Sequence, residues 1–269
     1  MLTIRLLSLN IWDLPVTLPF TDRTHRLNDL LERLPALNAD VVLLQEVFRP
    51  AYSRQVAARL SGFHVDGYHA QRRRLGPLIM DAAGGLATFS RWPITHSAFI
   101  PAHRVAGMKP DEKIGRKGWM WTTLATPDGP VHLANVHLYA GTSPRDARVR
   151  TIQVRHMLRT LPAPGPILIA GDFNMSVGYE FPAKGPTGFD LLDSAGFREV
   201  ADGVTDGIAT MSTARNMWAR YVPWHRPDRR LTQVFLHGPL TVATPPALCL
   251  DEPPVSDHFG LVVEIEFES

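Results

Sequence analysis

Asp172 and Asn174 stand two residues apart in Gly171-Asp172-Phe173-Asn174, directly after the apolar run Ile-Leu-Ile-Ala at 167–170. In extended backbone, residues at i and i+2 point to the same side. The pair therefore predicts a carboxylate that orients or deprotonates a water, beside a carboxamide that donates to a phosphoryl oxygen. Other apolar runs end the same way. Asn10 ends "LSLN", Glu46 follows "VVLLQ", His137 closes "LANV", and Asp257-His258 precede "FGLVVEIEF". Strands packed side by side would bring these tips to one rim.

Carboxylates, carboxamides and histidines without a thiolate suit a hard cation such as Mg²⁺, which takes one or two carboxylates and keeps waters for a substrate phosphate. A zinc site would want a cluster of His or Cys, and no HExxH pair is present. P-loop, Rossmann and G-x-S-x-G signatures are missing as well. Singly, each residue has an ordinary explanation: Asp172 or Asn174 as a turn former, Glu46 as a surface carboxylate, Ser-Asp-His as a loop. Their joint occurrence at strand tips lowers the weight of those ordinary explanations only through the resemblance described below.

The positioning elements follow from periodicity. Ile4 to Leu9 predicts a first strand, and 41–44 a short buried one. Leu27, Leu30, Leu31 and Leu34 at i, i+3, i+4, i+7 predict a helix over 22–34, and Pro50 opens a second near 50–60. Residues 84–90 read as a strand; 119–126 and 131–137 flank "TPDGP" as a hairpin. Ser143, Pro144 and Asp146 form a capping box for a helix whose stripe is Val154, Met157, Leu158 and Leu161. In the last strand Phe259, Leu261, Val263, Ile265 and Phe267 alternate with Gly260, Val262, Glu264, Glu266 and Glu268, predicting one buried and one wet face. Strands in hairpins with covering helices predict an α/β sandwich, not a parallel barrel.

No linker, repeat or low-complexity segment divides the 269 residues, so one domain over 1–269 is expected. The opening "MLTIRLLSLNIW" lacks a signal-peptide layout and no run is long enough to span a bilayer, so a cytoplasmic protein is expected. The single cysteine, Cys249, excludes an internal disulfide. A net charge of +2 is too small to select nucleic acid as partner. The arginines do cluster, at 72–74, at 145, 148, 150, 155 and 159, and at 215, 220, 226, 229 and 230. Solvated faces explain them, and attraction to an anionic partner is the functional alternative. "NMS" at 174–176 fits a glycosylation sequon, read as a chance match. In "NMWARYVPWHRP", Trp218, Tyr221 and Trp224 read as packing residues, or alternatively as a lipid-interface element.

Taken together, "LNIW", "LLQEV", "GGLATFSRWPI", "NVHLYAG", "GDFNM" and "SDH", spread over residues 7–260, resemble the endonuclease/exonuclease/phosphatase superfamily. Within it the chain is most similar to neutral sphingomyelinases, through "LNIWDLP", "RTHRLNDLL", "GRKGW" and "NVHLYAG". The resemblance implies a four-layer α/β sandwich, with two mainly antiparallel sheets face to face and helices outside. It implies Mg²⁺-dependent phosphodiester hydrolysis, with Mn²⁺ able to substitute. Glu46 would be the principal metal ligand, with Asn10 in or beside the coordination shell. Asp172 would orient the attacking water and Asn174 would hold a phosphoryl oxygen. His137 would contact the phosphate or assist the leaving group. His258 would stabilise transition-state charge, and Asp257 would support the metal or the adjacent histidine.

The family's Arg-Ile/Leu-Asp-Tyr segment corresponds to "RLTQVF", with Thr232 in place of the Asp that pairs with the catalytic histidine. A threonine hydroxyl can hydrogen-bond an imidazole but brings no charge to hold an imidazolium. Asp228 lies four strand residues away, about 13 Å, too far to substitute. The expected substrate is a phospholipid, cut sphingomyelinase- or phospholipase C-fashion by a monomer in peripheral contact with a membrane. The alternatives are a DNA nuclease of exonuclease or apurinic-endonuclease type, and a non-catalytic phospholipid-binding descendant.

Overall fold

The computed structural model describes residues 2–14, 19–75, 78–162, 164–178, 180, 185–201, 208–221 and 228–268, the side chains at 19, 66, 67 and 70–83 excepted. One six-stranded sheet contains β1 (Thr3–Asp13), β2 (Val41–Val47), β3 (His64–Leu75), β4 (Leu78–Ser90), β11 (Leu240–Cys249) and β12 (Gly260–Phe267), ordered β11-β12-β1-β2-β4-β3. The other contains β5 (Ile94–Pro101), β6 (Gly118–Thr126), β7 (Gly129–His137), β8 (Ile167–Asp172), β9 (Arg198–Glu199) and β10 (Thr232–His237), ordered β5-β6-β7-β8-β10-β9. β1–β2 and β7–β8 are parallel, and the other pairings are antiparallel.

Alternation along the strands builds three apolar layers. Between the sheets, Ile4 and Leu6 of β1 and Val41 and Leu43 of β2 meet Val131, Leu133, Leu168 and Val234 of the second sheet. On the outer side of the first sheet, Leu7, Leu9, Ile11, Val42 and Leu44 pack against α1 (Arg23–Arg33) and α2 (Pro50–Arg59) through Leu27, Leu30, Tyr52 and Val56. Outside the second, Trp119, Ile169 and Phe235 pack against α4 (Pro144–Leu158) and α5 (Gly188–Ser194). A short helix, α3 (Pro110–Gly115), precedes β6. The result is the expected α/β sandwich, each buried Leu or Val contributing about 1.5–3 kcal/mol relative to exposure. Among the described residues no helix is long and apolar enough to cross a membrane.

The capping box forms as expected: Asp146 N–H donates to Ser143 Oγ and Ser143 N–H donates to Asp146 Oδ2, at 3.3 and 2.9 Å. The final strand departs from expectation. Gly260 and Val262, assigned to a wet face, are buried, and only Glu264 and Glu266 on that row of the strand reach solvent. The first half of β12 is covered on both sides, by the other sheet and by the helix layer. Arg145, Arg148 and Arg155 of α4, and Arg159 just after it, are exposed as solvated residues, whereas Arg150 is buried and ion-paired to Glu180 at 2.6 Å. The side chains of Arg72–Arg74, and residues Trp224 and Arg226, lie outside the described set.

Candidate active site

The rows that face the other sheet are apolar in mid-strand and polar at one end. In β1 the row continues from Ile4 and Leu6 to Ser8 and Asn10; in β7 it runs Val131, Leu133, Asn135, His137; in β8, Leu168, Ala170, Asp172. A buried polar band underlies the site, where Gln45 Nε2 donates to Asn135 Oδ1 at 2.8 Å. Above it, His137, Asp172 and Thr232 stand in register across β7, β8 and β10. β7 and β8 approach so closely at this level that a Cβ on Gly171, at φ +145°, would lie 2.1 Å from Val136 O. The glycine before Asp172 is thus a requirement of the strand pairing.

Asn10 ties the two sheets together. Its Nδ2 donates to Glu46 Oε1 at 3.1 Å and to Asp172 Oδ2 at 3.0 Å, while its Oδ1 accepts from Trp12 N–H. His137 Nε2 lies 3.5 Å from Asp172 Oδ2 and 3.8 Å from Glu46 Oε1; His258 Nε2 lies 4.0 Å from Asp172 Oδ2. These groups, Asn174 and Asp257 line one cavity of about 450 Å³. Ser256 Oγ donates to Asn10 O at 2.6 Å and places Asp257 and His258 beside the end of β1. All seven residues nominated from sequence share this cavity.

Two come there by routes that alternation does not predict. Glu46 lies inside β2 with φ +59°, so its side chain leaves the alternating row. Asn174 is not in extended backbone: β8 ends at Asp172, and Asn174 has φ +52°. Its N–H donates to Asp172 Oδ1 at 2.9 Å, closing a tight turn, and its Nδ2 donates to Leu138 O at 3.0 Å. The expectation of a shared strand face is corrected accordingly. A buried Asn174 whose amide is engaged in the fold also disfavours the sequon reading.

The electrostatics divide the carboxylates. Burial and the neighbouring Asp257 push the Glu46 carboxyl up to about 7, against the opposing pull of Lys117 and the Asn10 hydrogen bond. Burial likewise raises Asp257, with His258 and Arg26 opposing. For Asp172 burial works upward too, but His258, His137 and Lys117 outweigh it and hold the carboxyl below its ordinary value. Burial, reinforced by Lys117, keeps His137 well below the usual imidazole range.

Sequence reasoning did not nominate Lys117. Its side chain, 14% exposed, lines the cavity, and its ammonium donates to Glu112 at 2.9 Å. Burial lowers it, yet Glu112, Glu46 and Asp172 together raise it. The signal was the basic residue of "GRKGW" immediately before the central hairpin. Asp228 is exposed.

Among the described residues no three of His, Cys, Asp and Glu form a closed ligand cluster. The donor set fits a magnesium-type ion nonetheless. Glu46 Oε2 and both ring nitrogens of His137 are buried without hydrogen-bond partners, and Glu46, Asp172 and Asp257 are among five carboxylates that line one cavity. A hard cation that uses one carboxylate and keeps its waters needs no closed cage.

This is a two-sheet α/β sandwich with an acidic and histidine-bearing rim at its strand ends. The Endonuclease/Exonuclease/phosphatase family model matches residues 7–258, and the chain belongs to that family. No curated protein matches the sequence. Among solved structures it is similar to sphingomyelinase C from Streptomyces griseocarneus, at 18% identity and TM-score 0.67, covering 98% of this chain and 99% of that one. It is similar to beta toxin from Staphylococcus aureus with bound magnesium ions, at 18% identity and TM-score 0.64 over 100% of both chains. It is also similar to D. rerio TDP2 complexed with a single-strand DNA product, at 17% identity and TM-score 0.67, covering 98% and 99%. At such identities the likeness is one of fold.

Proposed function

We propose that this chain is a Mg²⁺-dependent phosphodiesterase that cleaves a phospholipid-type diester by in-line attack of water. One observation carries the reading: Asn10 bonds Glu46 of one sheet and Asp172 of the other, with His137 and His258 within 4.0 Å of the same Asp172 oxygen. Glu46 would hold the ion, with Asn10 beside it and Asp257 supporting. When bound, the ion supplies charge neutralisation at the phosphoryl oxygens.

Asp172, kept anionic, orients the water and the two imidazoles. Asn174 lines the cavity, and the second N–H of its carboxamide, beside the one bonded to Leu138 O, would hold a phosphoryl oxygen. Neutral His137 contacts the phosphate, and His258 meets the charge that develops as the phosphorus–oxygen bond to the leaving alcohol breaks. Lys117, cationic by virtue of its acidic neighbours, adds a fixed positive charge. Water ends on phosphorus and the alcohol leaves with a proton. Similarity to a sphingomyelinase supports the lipid substrate, and similarity to TDP2 favours DNA as the second reading.

The test is a panel of sphingomyelin, lysophospholipid, abasic DNA and an aryl phosphate diester, each assayed with Mg²⁺ and with chelator. Lipid turnover lost on chelation supports the proposal. Activity that survives chelation overturns the metal, and activity on DNA alone transfers the chain to the nuclease reading.

A further inference from the structure

The cavity is chemically two-sided. Its charged lining, Lys109, Asp111, Glu112 and Lys117, comes from the segment before β6; its apolar lining comes from the segment after β1 and the segments before β10. In the second sheet β6 and β10 are separated by β7 and β8, which carry His137 and Asp172. The reacting groups therefore form a floor between a charged wall and an apolar one.

The apolar wall ends in an exposed aromatic pair. Phe20, on a single helical turn (Pro19–Thr21), and Tyr221, on another (Ala219–Tyr221), meet with ring centroids 4.9 Å apart. They are 48% and 49% exposed, and both line the cavity that holds Glu46 and Asp172. Half-exposed rings at a cavity mouth fit the usual make-up of a ligand site, apolar surface with a few convergent polar groups.

Both turns are fixed from behind by buried Arg26. Its Nε donates to Thr21 O at 2.7 Å, next to Phe20, and its guanidinium lies 4.9 Å from the Trp12 ring and 5.6 Å from the Trp218 ring. Tyr221 N–H donates to Trp218 O at 3.1 Å. The pair is thus a preorganised surface, and preorganisation raises affinity by lowering the ordering cost of binding.

We propose that Phe20 and Tyr221 form a subsite for an apolar or aromatic alcohol moiety of the phosphodiester, selecting such esters over small polar ones. The inference rests on the phosphodiesterase reading for the identity of the ligand. Partial burial of one ring-sized group against the pair is worth about a tenfold preference.

Calorimetric binding of diphenyl phosphate and dimethyl phosphate, equal in charge, tests it in the presence of Mg²⁺ with the wild type, Phe20→Ala, Tyr221→Ala and the double variant, each first checked for an unchanged melting temperature. The wild type is expected to favour diphenyl phosphate about tenfold, and the double variant to bring that ratio close to one. A wild type without preference, or a double variant that keeps it, overturns the subsite. Turnover of 4-nitrophenyl methyl phosphate in parallel reports on the hydrolase reading alone, because the binding ratio needs no catalysis. Co-sedimentation with phosphatidylcholine vesicles supplies the remaining outcome. If the double variant loses vesicle binding while its diester ratio is unchanged, the pair is a membrane anchor and the subsite is overturned.

Discussion

Thr232 stands directly opposite Asp172 in the antiparallel ladder between β10 and β8. Its hydroxyl is buried without a hydrogen-bond partner, and so is Nδ1 of His258. The backbone N–H of Thr232 is engaged by Thr210 Oγ1 at 3.1 Å, but the hydroxyl does not reach the imidazole. The position where the family carries an aspartate is therefore sterically filled and electrostatically empty.

Two substitutions separate those properties. Thr232→Val keeps the shape and removes an unpaired hydroxyl, so unfolding free energy should change by less than about 1 kcal/mol. Thr232→Asp places a second buried carboxylate directly opposite Asp172, and like charges this close disfavour joint ionisation, so the acid limb of the kcat/KM profile should move upward by about one pH unit. An unmoved limb in the Asp variant would show that position 232 does not communicate with Asp172.

If Glu46 holds the proposed cation, binding should depend on pH. Its carboxyl sits near 7 in the folded chain against an ordinary 4.5. The folded state thus holds this proton more tightly than the unfolded state. Stability from the group is complete below about 4.5 and is lost as pH rises to about 7, an effect of about 3 kcal/mol at most. A divalent ion beside the carboxylate relieves that loss. Mg²⁺ should therefore raise the melting temperature more at about pH 8 than at about pH 5.5, relative to chelator. Glu46→Gln should flatten the difference; an equal Mg²⁺ effect at both pH values in the wild type would count against Glu46 as the ligand.

His137 and His258 reach the same Asp172 oxygen from different segments, at 3.5 and 4.0 Å. Replacing either by alanine should lower turnover by about 10²–10⁴, the usual contribution of a positioned acid–base group. Both variants should retain a cooperative melt. Near-normal rates in both would remove the two imidazoles from the reaction.

The apolar runs made much of this site legible in advance. "ILIAGD" is an apolar run that stops at Asp172, and Asn10 and His137 end rows that begin apolar at Ile4 and Leu6 and at Val131 and Leu133 and turn polar at Ser8 and Asn135. Periodicity failed where backbone left its regular region, as at Glu46 and Asn174 with their positive φ. It also failed for β12, because whether the second face of a strand is wet depends on helices from elsewhere in the chain. Lys117 and Arg26 stood inside "GRKGW" and "RTHRLNDLL" yet received no role, because a lone basic residue reads as solvated unless the partners that allow its burial are known.

Gly171 offers a test of the rigidity beneath Asp172. In Gly171→Ala the new methyl would meet Val136 O, and the φ of +145° is unfavourable to any side chain. β7 and β8 must separate, which shifts His137 relative to Asp172. A loss of roughly 2–4 kcal/mol is expected in denaturant titration, together with a fall in turnover larger than that of an equally destabilising surface variant. Wild-type stability in Gly171→Ala would mean that the strands leave room for a methyl group between Asp172 and Ala170.

Arg26 is 1% exposed and joins three segments of the site. It donates to Thr21 O, to Ile11 O and Trp12 O at the end of β1, and to Val255 O just before Asp257 and His258. Burial lowers its tendency to hold a proton, while Asp257 and Asp13 favour the charged form. Removing the guanidinium leaves several buried carbonyls unpaired and Asp257 without a nearby cation, so Arg26→Met should cost at least ~3 kcal/mol. At this chain length that corresponds to a melting-temperature drop of roughly 6–12 °C. Arg26→Lys keeps the charge but cannot span the same acceptors, since a single ammonium lacks the planar fork. It should recover part of the stability while leaving turnover depressed, because Val255 and the histidine that follows it are no longer fixed to the end of β1. Full activity in Arg26→Lys would show that charge alone, and not the fork of hydrogen bonds, sets the position of His258.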